Sequence, residues 1–168
     1  MYSLLCPDSM VDSVFDIDLA NLRSKGIRGM IFDLDNTIIP WDSGEMCPLI
    51  QDWLRELMHS GIKVVIVSNN WKRRVRAIAD SFGIPFVSRA YKPAKYGFIQ
   101  ASRILGLAPW EIAMVGDQMF TDVLGGNRLG FFTIWVKPIN SQEYIGTRIA
   151  RHLEKLAVRI LKAKGMMK

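Results

Sequence analysis

Short apolar runs alternate with stretches of helical spacing along most of this chain, and that alternation restricts the fold more than any other property of the sequence. The runs occupy 26–34, 62–68, 86–87, 111–117 and 131–136. Between them, 46–60, 71–82, 94–106 and 119–129 repeat apolar residues at the helical period and end at or beside Gly61, Gly83, Gly106 and Gly130. Strand and helix in alternation predict βαβ units, and hence an α/β fold with a doubly wound, Rossmann-like parallel sheet. The run IKVVIVS is nearly continuous in Val and Ile, as a strand covered on both faces requires. A further helix is expected over 17–25, inside a lead-in of residues 1–25.

At 168 residues the chain suits one domain. Residues 1–140 form the expected body, and 141–168 a basic amphipathic C-terminal helix that belongs to it or lies at its periphery. With 49% hydrophobic and 23% charged residues, the composition excludes wholesale disorder. Cys6 and Cys47 lack metal-ligand spacing and are too few for a disulfide framework, so both are expected as reduced, buried thiols. No apolar run approaches the roughly 18 residues of a membrane span, and MYSLLCPDSM lacks the basic start and long apolar stretch of a secretion signal. A cytoplasmic protein is expected.

In an open α/β sheet, ligands bind beyond the carboxyl ends of the strands. Polar residues recur at those places. Asp33 and Asp35 follow the first run, Ser68, Asn69 and Asn70 the second; Lys92 and Lys95 precede the third helix, and Asp117, then Asp122, follow the fourth run. Two carboxylates two residues apart at a strand end can face one ligand, one attacking while the other handles protons. With Asp117 they offer a hard oxygen site of the kind that Mg²⁺ takes beside a phosphate. A serine hydroxyl can bind phosphoryl oxygens, and a lysine can neutralise the charge spread over them in the transition state. The constellation predicts phosphoryl transfer.

These residues carry a resemblance. Asp33-Leu34-Asp35-Asn36-Thr37, Ser68-Asn69-Asn70, Lys92-Pro93 and Gly116-Asp117-Gln118-Met119-Phe120-Thr121-Asp122 are similar, in order and spacing, to the four motifs of the haloacid dehalogenase superfamily of phosphohydrolases. Within it, IFDLDNTIIPWD, VSNN, KPAK and GDQMFTD look most like the YqeG-like phosphatases of subfamily IIIA, whose eukaryotic relatives are mitochondrial phosphatidylglycerophosphate phosphatases. The lead-in LLCPDSMVDSVFDIDLANLRSKGIRG extends the likeness towards the N-terminus.

The resemblance implies roles. Asp33 is the expected nucleophile, forming an aspartyl-phosphate; Asp35 protonates the leaving group and then activates water. Ser68 binds the transferring phosphoryl group, Lys92 clamps it, and Lys95, one helical turn on, is the alternative clamp. Mg²⁺ is the implied cofactor, held by Asp33, Asp117 and the main-chain carbonyl of Asp35, with Asp122 supporting the metal waters or Lys92. Thr37 and Asn69 are expected on the phosphate side. An acid at position 35 fits a phosphatase rather than a dehalogenase.

Spacing adds an expectation about the substrate. Superfamily caps are inserted between the first and second motifs or the second and third, and Asp33, Ser68 and Lys92 stand too close in sequence for either. A site without a cap domain suits a large or surface-bound substrate.

The net charge of +6 sits mainly at the C-terminal end: residues 1–140 carry +1 and 141–168 carry +5. Over 142–164 a helix is expected, capped by Asn140 or Ser141, with Ile145, Ile149, Leu153, Leu156 and Ile160 on one stripe and Arg148, Arg151, Lys155, Arg159 and Lys162 beside it. Such a helix can lie on an anionic membrane, helped by Trp41 and Trp71, or pack its apolar stripe on the core. The expected function is dephosphorylation of an anionic phospholipid, phosphatidylglycerophosphate, at the inner face of the membrane. The alternative is a phosphatase for a small phosphorylated metabolite, nucleotide or phosphoprotein. A non-catalytic RNA-associated or scaffold protein is a third reading, against which the intact Asp33, Asp35, Lys92 and Asp117 argue. The run of Lys72, Arg73, Arg74 and Arg76 is expected as a solvated helix face, with a headgroup contact as its alternative.

Overall fold

A computed structural model describes residues 2–140 and 145–166, with side chains over 3–140 and 153–166. Six parallel strands, β1 (Ser9–Val11), β2 (Gly29–Phe32), β3 (Lys63–Val67), β4 (Phe86–Val87), β5 (Ile112–Gly116) and β6 (Phe132–Val136), form one sheet in the order β1-β6-β5-β2-β3-β4. Every residue of β2 is buried. Because alternate side chains point to opposite faces, Met30 and Phe32 join one layer of core and Ile31 the other. On the first face α2 (Pro48–His59) buries Ile50, Leu54 and Leu57, and α3 (Lys72–Asp80) buries Val75, Ile78 and Ala79. On the second, α4 (Lys95–Leu105) sets Phe98, Ala101 and Leu105 against Ile31, Val65 and Met114. A side chain as completely covered as Phe32 or Phe98 contributes about 1.5–3 kcal/mol.

From β2 the chain winds outward through β3 to β4, then crosses to the other side of β2 to lay down β5 and β6. The winding reverses between β2 and β5, and a crevice opens at their carboxyl ends. One helix each, α2 and α3, fills the connections from β2 to β3 and from β3 to β4, so no cap domain covers that crevice.

Four features depart from the sequence expectation. The lead-in supplies a strand: β1 pairs with β6, Ser9 opposite Ile134 and Val11 opposite Val136. The Asp8 carboxylate accepts from the Thr133 amide at 2.8 Å, and Asn127 donates to the carbonyls of Leu4 and Cys6. Three residues are too few to display a period, which is why the sequence pattern hides this strand. Within the lead-in, α1 (Leu19–Ser24) is capped by Asp18, whose side chain accepts from the Asn21 amide.

The second departure is that 119–129 divides into a wide π turn, Met119–Val123, and the short α5 (Leu124–Asn127). Gly125 lies so near the Phe98 ring that a Cβ there would overlap it.

The third concerns α6 (Ile145–Ala163). Ser141 lies outside the described residues, as do the side chains of Ile145, Arg148, Ile149 and Arg151. Over the described part, Glu154 and Leu161 are buried, and Ala157 and Val158 pack with Leu161 against Met119 and Val123. Leu153 and Leu156 remain 54% exposed and Ile160 36%. The expected apolar stripe therefore faces outward here, because the sequence carries two such stripes and the second meets the π turn. Cys6 is half-buried and Cys47 is exposed at the start of α2, where a buried thiol was expected. No helix of the described residues is long and apolar enough to cross a membrane.

Candidate active site

The strand ends at the reversal bring Asp33 and Asp117 side by side. The ladder runs one residue past β2, the Asp33 amide donating to Val115 at 2.9 Å. Asn36 then adopts a left-handed conformation (φ 61°), which asparagine tolerates, and its amide donates to Ile39. The resulting turn points Thr37 back, where its hydroxyl donates to Asp117 Oδ1 at 3.3 Å. Asp117 is further held through its main-chain carbonyl, which accepts from Trp135 Nε1 at 2.8 Å.

Lys92 ties the site together. Its Nζ lies 2.6 Å from Asp33 Oδ1 and 2.7 Å from Asp122 Oδ1, with all three side chains nearly sealed from solvent. The second oxygen of Asp122 accepts from the Gln118 amide at 3.1 Å. Gly116 permits this approach, since a Cβ there would overlap the Asp122 carboxylate. Burial alone would lower the pKa of the Lys92 ammonium, but the facing carboxylates of Asp122 and Asp33 outweigh it and raise it. Burial, with Asp122 and Asp117 nearby, holds Asp33 well above the usual carboxylate range despite the pull of Lys92.

Carboxylate oxygens of Asp33, Asp117 and Asp122 lie within 4.8 Å of one another, all buried. Three carboxylates gathered around one ammonium could hold a divalent cation. An all-oxygen donor set fits a hard ion such as Mg²⁺. Because Asp122 is already bonded to Lys92 and Gln118, Asp33 and Asp117 are the better placed ligands. Asp33 Oδ1 also accepts from the Leu34 amide at 2.7 Å; Oδ2 receives no hydrogen bond among the described residues, is not sealed, and belongs to the cleft wall.

That cleft holds about 710 Å³ and is lined by Asp33, Asp35, Ser68, Asn69, Lys92, Gln118 and Thr121, with Trp41 and Trp71 at its rim. Ser68 is buried, its Oγ accepting from the Asn70 amide at 3.0 Å. Asn69, expected on the phosphate side, spends its amide on the peptide of Lys92: Oδ1 accepts from Lys92 N at 2.6 Å and Nδ2 donates to Lys92 O at 3.2 Å. Lys95, the alternative clamp, is exposed at the start of α4. Asp35 turns away from the other acids towards Arg74 and Asn70.

Three residues of the site carry no clear signal in the sequence. Arg74 sits within a basic run that reads as solvated surface, yet it binds Asp35 across 39 positions. Trp135 reads as part of a strand, and Glu154 as one charge on an amphipathic helix. The buried Glu154 carboxylate accepts from the Met119 amide at 2.6 Å.

Comparison with known proteins agrees with this geometry. Residues 40–130 match the family model described as haloacid dehalogenase-like hydrolase. The chain is 42% identical over 159 residues to "Probable phosphatase YqeG" of Bacillus subtilis (strain 168), covering 95% of this chain and 92% of that one. It is 30% identical over 149 residues to the mitochondrial phosphatidylglycerophosphatase GEP4 of Saccharomyces cerevisiae, covering 79% and 78%. Its fold matches the cobalt-bound deoxy-D-mannose-octulosonate 8-phosphate phosphatase of Haemophilus influenzae, with a TM-score of 0.52 at 16% identity over 84% of this chain and 91% of that one. The chain belongs to the haloacid dehalogenase-like hydrolases, as a YqeG-like phosphatase and hence a phosphoric monoester hydrolase.

Proposed function

We propose that the protein is a Mg²⁺-dependent phosphomonoesterase that works through an aspartyl-phosphate and acts on phosphatidylglycerophosphate. The observation that carries the chemistry is the buried cluster of Asp33, Lys92, Asp117 and Asp122 at the floor of an uncapped cleft.

In this reading Asp33 Oδ2 attacks phosphorus, and the bond to the ester oxygen breaks as that oxygen takes a proton from Asp35. Asp35 then removes a proton from water, which attacks the phosphorus of the acyl phosphate, releasing inorganic phosphate and restoring the Asp33 carboxylate. Lys92 holds Asp33 in place and faces the phosphoryl oxygens with a charge that its carboxylate partners keep protonated. Ser68 supplies a hydroxyl donor, and Asp122 and Asn69 fix Lys92 from either side. Asp33, Asp117 and the carbonyl of Asp35 would hold Mg²⁺, which supplies positive charge that screens the carboxylate from the anionic phosphate.

Two features support a phospholipid monoester as the substrate. The cleft has no cap, so a headgroup still seated at a bilayer can enter it. On α6 the exposed Leu153, Leu156 and Ile160 stand beside the exposed cations Lys155, Arg159 and Lys162, the composition of a helix that rests in an anionic headgroup layer. The phosphatidylglycerophosphatase among the relatives supports the same substrate. Peripheral attachment through α6 is part of this proposal.

The experiment is phosphate release with Mg²⁺ from phosphatidylglycerophosphate in mixed micelles, against a panel of soluble monoesters, with Asp33→Asn as the blank. A large preference for the lipid in kcat/KM is expected. Turnover of soluble esters alone would keep the chemistry and discard the lipid.

A further inference from the structure

A second opening lies on the same edge of the sheet, behind the catalytic loop. It is a groove of about 510 Å³ between the edge strand β1, its neighbour β6 and the helix α6. Met10, Val11, Trp135 and Val158 form much of its apolar lining. Lys137, Lys155 and Arg159 stand around it. Its size falls in the range of roughly 300–1,000 Å³ typical of small-molecule sites.

The charges are not balanced. Lys137 pairs with Asp12 at 2.7 Å, and the buried Glu154 is turned to the Met119 amide. Lys155 and Arg159 are exposed and make no ion pair among the described residues. An apolar trough with two unpaired cations on one wall matches a molecule that has a hydrocarbon chain and an anionic head. Outside the groove, the outward face of α6 exposes Leu153, Leu156 and Ile160, the composition of a lipid-facing surface.

Two hydrogen bonds join its walls to the catalytic loop. Trp135 donates to the Asp117 carbonyl, and Glu154 accepts from the Met119 amide. An occupant that orders Trp135 and α6 thereby also orders residues 117–119.

We propose that this groove binds one alkyl chain of an anionic amphiphile, with the anionic head against Lys155 and Arg159. The occupant is a neighbouring anionic lipid of the bilayer, since Lys155 and Arg159 line this groove and not the catalytic cleft; the proposal rests on the phospholipid-monoester reading only in placing the protein at a bilayer.

The test is equilibrium binding of lauroyl-lysophosphatidylglycerol, below its critical micelle concentration, to the full chain, followed by calorimetry and tryptophan fluorescence. Saturable binding at one site is expected. Removing methylenes from the chain weakens it about two- to fourfold each, fourfold being complete burial. Val158→Trp, which fills the trough, weakens it more than about tenfold. Lys155→Glu with Arg159→Glu weakens it about tenfold or more and leaves binding of the zwitterionic lysophosphatidylcholine unchanged, at roughly fivefold per surface cation. Circular dichroism checks each fold; if Val158→Trp does not fold, the charge pair decides alone. No saturable binding, or binding that neither variant weakens, overturns the proposal.

Alkyl phosphates from butyl to dodecyl identify the source. If kcat/KM climbs with chain length in the wild type and stays flat in Val158→Trp, the chain belongs to the substrate, which overturns the assignment to a neighbouring lipid. If kcat/KM is flat in both while the lysolipid still binds, the chain belongs to a neighbouring lipid. Failure of phosphatidylglycerophosphate turnover would discard the substrate reading and leave the binding result standing.

Discussion

Arg74 grips a single oxygen of Asp35, donating to Oδ1 from Nε at 3.0 Å and from Nη2 at 2.8 Å. The same Nη2 reaches the Trp41 carbonyl at 2.8 Å, so one guanidinium fixes both the proposed proton donor and the loop that follows it. The pair is about a quarter exposed, and its value lies in orientation rather than in stability. Arg74→Met is expected to lower kcat about tenfold or more while KM for a small monoester changes by less than about threefold. Arg74→Lys does not rescue it, because an ammonium cannot form the same fork. Steady-state kinetics on p-nitrophenyl phosphate checks this, and equal kcat in wild type and Arg74→Met would sink it.

Asp33→Asn is expected to cut turnover by about 10⁴-fold or more while the fold survives. The amide removes a buried charge that lies close to Asp117 and Asp122, so the thermal midpoint of the metal-free protein should hold or rise. Retained activity would refute the nucleophile.

For the metal, the sign of the pH dependence follows from Asp33. Its folded pKa stands well above its ordinary value of 3.8, so the folded protein binds this proton more tightly than the unfolded chain does. Stability of the metal-free protein therefore falls as pH rises from the ordinary carboxylate value through the raised one. Cation binding needs the ionised carboxylates, so Mg²⁺ should stabilise more at about pH 7.5 than at about pH 5. At a hundred times its Kd the gain is about 2.7 kcal/mol. EDTA should abolish turnover and Mg²⁺ restore it. Thermal unfolding with and without Mg²⁺ at both pH values is the measurement, and a midpoint indifferent to Mg²⁺ would remove the metal from the scheme.

The two lysines separate cleanly. Lys92→Met strands Asp33 and Asp122 in a buried site, at a cost of about 3–5 kcal/mol in the metal-free protein, and should reduce turnover at least about 10²-fold. Lys95→Met touches an exposed side chain and should stay within about 0.5 kcal/mol and twofold in rate. Comparable losses from both would mean that Lys95 shares the clamp.

Most of the sheet was legible because its central strands are buried on both faces, and that demand leaves runs such as Lys63–Val67 almost free of polar residues. The site acids were legible for a related reason: Asp33 and Asp117 break those runs at their carboxyl ends. What stayed hidden depends on contacts far apart in the chain. Nothing near Arg74 marks it as a partner of Asp35, and nothing near Asn69 says that its amide is spent on Lys92. On α6 the spacing supports two apolar faces, and it took the π turn at Met119–Val123 to select Leu161 over Ile160.

The pairing of β1 with β6 has a consequence for how the chain is made. Ser9 emerges from the ribosome more than a hundred residues before Ile134, the residue it must lie beside. Whatever β2 to β5 assemble in the meantime, this edge of the sheet is finished last, with the earliest-made of its strands. Until β6 is released, the Asp8 carboxylate has no Thr133 amide to accept from, and the wall carrying Trp135 is absent. A nascent chain stalled short of residue 132 would hold Asp33 and Lys92 and still lack the support of the loop that carries Asp117, so the site would be complete only with the closing of this edge.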